Sequence, residues 1–401
     1  MRIGFVRDTY FTNEPRGLNI ARKLVKERFE VFVLCYGDHD TIENHHGIVI
    51  HRKYLNKKFK KVFRPLINTF PIYSWIWIKK IKEFIITYNI EVLQVHDLYM
   101  LGSAIKANRE YRLPIVANFH ENYPAAVLTY NWANSVKGRA LFRPKIWKKL
   151  QGEYLRNVDK IIVTCQEYKE NLLKLYNYLS SENIFVYLNV PDLDEFNNYK
   201  ISKDVFDKGD NFILFYFGVN AERRGLFIML DALKLLVKKH SNIKLLLIGP
   251  VDIADIERFN IYLNNPVLKD HIIFYDWKDI SEIPSYIVKS DICLSPLLEN
   301  EHHNTTIANK LFQYMLFEKP MVISDCKPQA RLIKETEAGA LHKANKAESL
   351  AEKVLELYDD PIRRLSMGKA GKFFVKKKYN TEVESKKIIE MYRNIEKNFK
   401  G

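Results

Sequence analysis

The sequence has 401 residues, is 47% hydrophobic and carries a formal net charge of +15. A chain of this length exceeds one ordinary hydrophobic core, so two globular domains are expected. No apolar run approaches the roughly 20 residues that a membrane span needs, and the first residues, MRIGFVRD, are typical of a strand and not of a secretion signal, so a cytoplasmic location is expected.

The cysteines are Cys35, Cys165, Cys293 and Cys326, and they are widely separated in the sequence. Closely spaced pairs of cysteines are typical of zinc sites and redox motifs, and none is present. We therefore expect buried, reduced thiols and no disulfide bond.

The positive charge is concentrated in residues 51–150, which contain 19 Lys and Arg residues but only 5 Asp and Glu residues. Here lysines such as Lys58 and Lys60 alternate with aromatic residues such as Trp75 and Trp77. This mixture suits an anionic membrane surface, because cations meet lipid phosphates while rings lie at the headgroup level. An ordinary solvated basic face is an equal alternative. Nucleic acid is not expected as a partner, since no recognition motif for it is found.

Apolar runs of strand length alternate with helical patterns along the chain. The first runs are RIGFV, EVFVLC, GIVIH, EVLQV, PIVAN, KIIVT and IFVYL, with helices expected at residues 17–28 and 145–157. The later runs are FILFYF, IKLLLIG, HIIFY, DICLS and PMVIS, with helices expected at residues 226–239 and 307–317. Such alternation predicts parallel sheets covered by helices, so the expected fold class is α/β with two doubly wound domains.

Composition also predicts the domain boundaries. We expect an N-terminal domain at residues 1–190, a polar linker at 191–210, a C-terminal domain at 211–375 and a terminal helix at 376–401. In that helix Ile388, Ile389, Tyr392 and Ile395 share one side. Parallel sheets bind ligands at the carboxyl ends of their strands, so a cleft between the two domains is the expected active site.

The segment FYFGVNAERRGL carries the clearest signal for an anion. A strand ends at Gly218, and Arg223 and Arg224 precede a helix that Gly225 opens. Backbone N–H groups at a helix start, together with guanidinium groups, favour a phosphate or diphosphate. The alternative is that the arginines only decorate a turn. Neither a Walker lysine motif nor a G-x-G-x-x-G fingerprint is present, which argues against kinases and ordinary dinucleotide dehydrogenases.

The segment NTTIANKLFQYM predicts a helix with an apolar and a polar face. Ile307, Leu311 and Met315 recur every four residues and predict the buried face. The polar residues are Thr305, Thr306, Asn309, Lys310 and Gln313. At the helix start they are expected to hold a phosphate, with Gln313 one turn later on sugar hydroxyls. Capping of a surface helix by Thr305 or Thr306 is the alternative, but it leaves Lys310 and Gln313 without a role.

Several motifs, in this order and spacing, resemble the GT-B glycosyltransferases of the retaining group called family four. They are VHDLYMLGSAIKANREYRLPIVANFHENYP, YLNVPD, FGVNAERRGL and NKLFQYMLFEKPMVISD, and the resemblance covers essentially the whole chain. It implies two Rossmann-like domains facing a cleft, with the C-terminal helix returning toward the first domain. It also implies transfer of a sugar from a nucleotide-diphosphate donor, with a UDP-sugar favoured and no separate cofactor.

The resemblance assigns roles to individual residues. Arg223 and Arg224 would neutralise the donor diphosphate, and His120, oriented by Glu121, would lie near the transferred sugar and the acceptor. The other donor-binding residues would be Gly218, Thr305, Thr306, Asn309, Lys310 and Gln313. Since the departing phosphate serves as the base and the arginines carry its charge, the resemblance implies neither a metal nor a carboxylate nucleophile.

The chain departs from the family pattern at two acidic positions. They are occupied by Thr305 and Gln313, so we expect either a modest donor affinity or replacement of the first acid by the nearby Glu299 or Glu301. A donor-binding pseudoenzyme that serves as a partner subunit is therefore an alternative, and a sugar-nucleotide epimerase is another. The intact basic residues favour an active transferase that extends a glycan or a lipid-linked glycan at the inner face of the membrane.

Overall fold

The structure is a computed structural model that describes residues 1–12, 14–202 and 204–400. The chain divides into two compact units. The N-terminal unit comprises Met1–Leu188 and the chain from Glu384 onward, and the C-terminal unit comprises Asn189–Val383. The segment 191–210, predicted as a linker, is thus part of the C-terminal unit, and it contains a short helix at Leu193–Asn197.

The N-terminal unit is built on an eight-stranded sheet in the order β3-β4-β2-β1-β5-β6-β7-β8. The strands are β1 Arg2–Val6, β2 Glu30–Gly37, β3 Thr41–His45, β4 Ile48–Tyr54, β5 Val92–His96, β6 Ile115–Asn118, β7 Lys160–Val163 and β8 Ile184–Val186. All pairs are parallel except β3 with β4. Strand β3 was not predicted, because this edge strand, TIENH, is largely exposed and contains no apolar run.

Helices cover this sheet, and the central strands are buried on both sides, as expected for parallel strands. They are α1 Pro15–Lys26, α2 Lys57–Phe63, α3 Ile72–Tyr88, α4 Leu98–Asn108, α5 Tyr123–Ala126, α6 Asn131–Asn134, α7 Ile146–Leu155 and α8 Gln166–Leu175. The predicted helices at 17–28 and 145–157 correspond to α1 and α7.

The C-terminal unit contains a six-stranded parallel sheet in the order β11-β10-β9-β12-β13-β14. Its strands are β9 Phe212–Phe217, β10 Ile243–Ile248, β11 Ile272–Tyr275, β12 Ile292–Ser295, β13 Met321–Ser324 and β14 Gly339–His342. The direction of winding reverses between β9 and β12, and doubly wound sheets bind ligands at such a switch point.

The helices of the C-terminal unit are α9 Leu193–Asn197, α10 Leu226–Leu236, α11 Ile256–Leu263, α12 Ile283–Lys289, α13 Lys310–Leu316, α14 Lys327–Thr336, α15 Ala347–Tyr358 and α16 Pro361–Lys377. Helix α13 begins at Lys310 and not at residue 307. Thr306 has extended backbone (φ −142°, ψ 136°), and Asn309, directly before the helix, has helical backbone (φ −61°, ψ −30°). Every residue of α13 is buried, including Lys310 and Gln313. Lys310 and Gln313, expected on the polar side of this helix, are thus enclosed by the protein, whereas Asn309 directly before it is exposed.

The last helix, α17 Thr381–Lys400, packs on the N-terminal unit. Ile388, Tyr392 and Ile395 belong to the same core cluster as Ile3, and Ile389 packs against that cluster. Burial of one such side chain contributes about 1.5 to 3 kcal/mol, so several together hold the helix firmly. The predicted return of the C-terminal helix to the first domain is confirmed, as is the α/β fold with two parallel sheets.

The four cysteines are buried and none forms a disulfide. Within the described parts of the chain, no helix combines the length and the apolar character that crossing a membrane requires.

Candidate functional site

In the C-terminal unit, two glycines form the floor of the site at the carboxyl ends of β9 and β10. Gly218 and Gly249 have φ angles of 122° and 129°. A Cβ atom on Gly249 would lie 2.2 Å from the carbonyl oxygen of Gly218, and a Cβ atom on Gly218 would lie 3.2 Å from Nζ of Lys310. Glycine is therefore required for the backbone geometry, and it leaves the backbone after β9 open to close approach.

The arginine pair lies in a 3₁₀ turn, Glu222–Arg224, directly before α10. Gly225 joins the two with a φ of 82°, where a Cβ atom would lie 1.9 Å from the carbonyl oxygen of Pro296. Arg223 forms an ion pair with Asp252 at 3.2 Å. Arg224 is half-buried, and no carboxylate among the described residues lies within 4.0 Å of it. Arg224 is thus the member of the pair whose charge is not balanced by the protein.

Lys310 places a second cation beside this turn. Its side chain is buried, and Nζ lies 3.6 Å from the ring centroid of Tyr216 and 5.6 Å from that of Phe217. Burial lowers the pKa of Lys310 well below its usual value, and the charge of Arg224 lowers it further. An anion bound here would offset both effects, so the site favours a ligand that carries negative charge.

Gln313 lies one turn further along α13. Only 8% of the residue is exposed, and its Oε1 atom is buried without a hydrogen-bond partner among the described residues. The hydroxyl oxygen of Thr306 is in the same state. A buried polar atom without a partner costs about 1 to 3 kcal/mol, so a ligand that supplies the missing hydrogen bonds would be stabilised here.

The remaining residues predicted for this site are less suitably placed. Thr305 is buried, and its hydroxyl donates to the carbonyl oxygens of Glu301 at 2.7 Å and His302 at 3.2 Å, so this hydroxyl stabilises the local turn. Asn309 precedes α13 and is exposed, and its side chain forms no capping hydrogen bond. Both residues therefore stay predictions as donor ligands.

In the N-terminal unit, Asp8 organises the carboxyl end of β1. The residue is completely buried. Its carboxylate accepts hydrogen bonds from Arg64 Nε at 2.7 Å, from the Tyr73 hydroxyl at 2.8 Å and from the Tyr99 hydroxyl at 2.7 Å. These donors come from the end of α2, from α3 and from α4, so Asp8 connects three helices to the sheet.

A pocket of about 370 Å³ opens beside Asp8. Its aromatic lining consists of Tyr99, Tyr123, Tyr130, Trp132 and Phe142, and its polar lining includes Arg7, Arg64, Asp97, His120 and Glu121. Aromatic walls with a few converging polar groups are typical of small-molecule sites. His120 and Glu121 were predicted from the sequence but the aromatic wall was not, because its residues are spread from position 99 to position 142.

His120 is held by a different acid from the one predicted. Its Nδ1 atom lies 3.4 Å from Oε1 of Glu14, and its Nε2 atom lies 3.0 Å from Nδ1 of His96. Glu14 caps the start of α1, which brings its carboxylate to the histidine. Glu121 instead lines the pocket. The assignment of Glu121 as the orienting acid is therefore replaced by Glu14.

The charges around Glu14 keep it ionised. Burial raises the pKa of this carboxyl, but the hydrogen bond from His120 and the charge of Arg7 lower it more, so that it lies well below its usual range. One ligand atom from each of Glu14, His96 and His120 lies within 4.8 Å of the others, a spacing at which a metal can be bound. In the structure a hydrogen bond joins the His96 and His120 rings, and Nδ1 of His120 faces the Glu14 carboxylate.

Comparison with known proteins is decisive for the family. Residues 17–195 match the model of "Glycosyltransferase Family 4", and residues 197–373 match that of "Glycosyl transferases group 1". The chain belongs to the GT-B glycosyltransferases. The first matched segment covers most of the N-terminal unit and ends just beyond Leu188, and the second lies in the C-terminal unit, so each match contains one of the two sheets of the GT-B fold.

Individual relatives of this glycosyltransferase are distant. It is 25% identical to an uncharacterized glycosyltransferase of Methanocaldococcus jannaschii, over 90% of this chain and 88% of that protein. It is 21% identical to the capsular polysaccharide biosynthesis glycosyltransferase CapM of Staphylococcus aureus, and the match spans only 60% of either protein. Among solved structures, Anabaena HepE in complex with UDP matches with a TM-score of 0.75 and 15% identity, over 98% of this chain and 100% of that one.

Proposed function

We propose that this glycosyltransferase transfers a sugar from a UDP-sugar to a glycan or lipid-linked glycan, with retention of configuration and without a metal. The observation that carries the proposal is the pair of cations at the switch point of the C-terminal sheet. Arg224 has no acidic partner among the described residues, and the amine of Lys310 is buried against aromatic rings beside Gly218. HepE, whose fold is similar, was solved with UDP, which supports a uridine nucleotide as the donor.

The cations define how the donor would react. Negative charge develops on the leaving diphosphate as its bond to the sugar breaks, and Arg224 and Lys310 would stabilise that charge, the role that a metal ion has in other transferases. The unpartnered oxygen of Gln313 would accept a hydrogen bond from a ribose hydroxyl. With its charge neutralised by the protein, the departing phosphate oxygen would take the proton of the acceptor hydroxyl. The acceptor would then attack from the face that the phosphate leaves, so the configuration would be retained.

The pocket of the N-terminal unit is proposed as the acceptor site. The rings of Tyr123, Tyr130 and Trp132 would contact the apolar sides of a sugar, while Asp97 and Glu121 would accept hydrogen bonds from its hydroxyls. The match to CapM, a capsular polysaccharide biosynthesis protein, supports a glycan as the acceptor.

A basic and apolar surface supports contact of this unit with an anionic membrane at the cytoplasmic side. Helix α2 has no buried residue, and Val62, Trp75 and Val136 are 54%, 61% and 78% exposed. Two residues predicted for this surface do not reach it. Trp77 is in the core, and Lys60 contacts the Tyr36 ring and the Asp8 carbonyl.

Sedimentation with liposomes tests the membrane proposal. A variant with Lys58→Gln and Lys61→Gln should bind anionic vesicles more weakly than the native protein, and added salt should weaken native binding as well. Lys238→Gln with Lys239→Gln, two exposed lysines of the C-terminal unit, is the matched control. Equal sedimentation with neutral and anionic vesicles, or none with either, would rule out the electrostatic contact.

Calorimetry followed by turnover measurements tests the proposed reaction. UDP should bind more tightly than ADP or GDP, and a UDP-sugar should be slowly hydrolysed in the absence of an acceptor. EDTA should leave hydrolysis unchanged, and NMR of the released sugar should show the donor's anomeric configuration before mutarotation. Binding of UDP without any turnover would instead favour the pseudoenzyme, and failure of all three nucleotides to bind would reject the donor site.

A further inference from the structure

A continuous line of buried polar side chains runs from the C-terminal helix to His120. The hydroxyl of Tyr392 on α17 donates to Oε1 of Gln94 at 2.7 Å, and Nε2 of Gln94 lies 2.9 Å from Nε2 of His96. Nδ1 of His96 in turn lies 3.0 Å from Nε2 of His120. Tyr392, Gln94 and His96 are all completely buried.

The direction of each hydrogen bond follows from the chemistry of the groups. Because the amide oxygen of Gln94 accepts from Tyr392, the amide nitrogen faces His96, and an amide nitrogen can only donate. Nε2 of His96 must then accept, so its single proton is on Nδ1 and is donated to Nε2 of His120. Burial lowers the pKa of His96 well below its usual value and the charge of Arg7 lowers it further, which agrees with a neutral ring.

The same logic determines the state of His120. Its Nε2 atom accepts from His96, so its proton is on Nδ1, where Oε1 of Glu14 lies at 3.4 Å. The other charged groups nearby are Arg7, which pairs with Glu14 at 3.1 Å, and Arg16, whose guanidinium donates to Asn118 and to backbone carbonyls. Both ring nitrogens of His120 are therefore occupied, and neither offers a lone pair to the pocket.

We propose that Tyr392, Gln94 and His96 are positioning residues that hold His120 as the neutral Nδ1–H tautomer at the edge of the acceptor pocket. His120 then forms a fixed wall of the pocket and does not act as the base toward the acceptor. This inference rests on the proposed function only in its prediction for kcat. The tautomer itself is a property of the protein without substrate.

Nitrogen NMR of protein labelled with ¹⁵N-histidine measures the tautomer directly, because protonated and unprotonated ring nitrogens have distinct shifts. In the native protein, His120 should show a protonated Nδ1 and an unprotonated Nε2, with its signals assigned by their loss in His120→Gln. A native His120 that is protonated on Nε2, or on both nitrogens, at neutral pH would overturn the proposal.

Two variants reverse or release the line of hydrogen bonds. In Gln94→Glu the new carboxylate accepts from both neighbours, so His96 must be protonated on Nε2 and must accept at Nδ1. His120 should then carry protons on both nitrogens, facing His96 and Glu14.

In Tyr392→Phe the amide of Gln94 loses its fixed orientation, and His120 should show a mixture of tautomers. Native-like signals in both variants would contradict the proposed role.

Tyr168→Phe is the matched control, because Tyr168 is also completely buried and its hydroxyl accepts from Gln151 at 2.8 Å in the same unit. It should leave the signals of His120 unchanged. Tyr392→Phe should lower kcat by roughly three- to tenfold, the scale of one hydrogen bond, while the affinity for UDP stays the same. If the chain proves to have no transferase activity, the proposed function fails, but the NMR result still decides the tautomer.

Discussion

Both units place arginine or lysine side chains at the carboxyl ends of their strands, but the two groups of cations are treated in opposite ways. In the N-terminal unit Arg64 pairs with Asp8 at 2.7 Å and Arg7 pairs with Glu14 at 3.1 Å. In the C-terminal unit Lys310 lies against the Tyr216 ring. No acid among the described residues is within 4.0 Å of Arg224.

The difference shows what each group of cations does. A buried cation that has an acidic partner stabilises the fold only as long as that partner is present. A desolvated cation without an acidic partner can still form a charge-assisted hydrogen bond, and a phosphate ligand would accept it. Substitutions in the N-terminal unit should therefore reduce stability, whereas substitutions in the C-terminal unit should reduce donor affinity.

The largest effect is expected for Asp8→Asn. The amide cannot balance the charge of Arg64, and its NH₂ group faces hydrogen-bond donors from Arg64, Tyr73 or Tyr99. Loss of one partner of a buried pair costs about 3 to 5 kcal/mol, and because the Arg64 side chain is 35% exposed we expect a loss of about 2 to 3 kcal/mol in the free energy of unfolding. Denaturant titration measures it, with the exposed Asp270→Asn as control. A fall in UDP affinity without a fall in stability would contradict the proposed difference between the two units.

Lys310→Met should have the opposite effect. Removing a buried amine whose pKa is lowered by burial also removes a desolvation cost, so the free energy of unfolding should stay the same or rise. Affinity for UDP should fall by about 2 to 3 kcal/mol, because a charge-assisted hydrogen bond to phosphate is lost. A marked loss of stability would instead show that Lys310 supports the fold.

The lowered pKa of Lys310 adds a pH test. Bound phosphate should raise that pKa toward its ordinary value, so binding of UDP should take up protons between the pKa of the free protein and that of the complex. Affinity should accordingly fall as the pH rises through that window, beyond any change caused by ionisation of UDP. Calorimetry in buffers of different ionisation enthalpy measures the proton uptake. The uptake that comes from Lys310 should be absent in Lys310→Met.

The arginine pair offers a comparison within a single turn. Arg224→Ala should weaken UDP binding by about 1.5 to 2 kcal/mol with little change in stability, since its charge is free for a ligand. Arg223→Ala should weaken binding less, because Arg223 is already paired with Asp252. Arg258→Ala is the matched control, since that guanidinium pairs with Glu222 and lies 3.7 Å from the centroid of the Phe227 ring. Equal effects of Arg223→Ala and Arg224→Ala would contradict the distinction between them.

The fold was largely predictable because buried parallel strands are continuous apolar runs, such as FILFYF for β9. Elements without such a run were missed: the exposed strand β3 and the short helix α9 within the predicted linker. The complete burial of α13 was not predicted, for a different reason. A spacing of four residues predicts one buried face, but Phe312 also contacts the Tyr379 ring and Tyr314 the Phe217 ring, contacts between segments that the local pattern does not encode.

The sites were predictable only where a signal is local. Arg224, Lys310 and Gln313 belong to two short motifs, and the structure places Arg224 near enough to Lys310 to lower its pKa. The contact of Glu14 with His120 joins the start of α1 to the loop after β6. The line from Tyr392 to His120 depends on the packing of α17 against β5. Such contacts arise from tertiary structure, and no spacing along the chain indicates them.

The smallest expected effect concerns Gln313, because this side chain is uncharged and lacks only a hydrogen-bond partner among the described residues. If its buried oxygen accepts from a ribose hydroxyl, Gln313→Glu should strengthen that bond and tighten UDP binding by up to about 1 kcal/mol. Without ligand the same carboxylate is buried and unpaired, so the free protein should be less stable, and UDP should raise its Tm more than it raises that of the native protein.

Gln313→Ala completes the test. It removes an amide whose oxygen already lacks a partner, and Ile307, Leu311 and Met315 remain in place, so the fold should persist while UDP binding weakens. Calorimetry with UDP alone measures both variants independently of the acceptor. If neither variant changes the affinity, Gln313 has no role in the donor site. Arg224 and Lys310 would still distinguish the two units, because neither has an acidic partner among the described residues, whatever the role of Gln313.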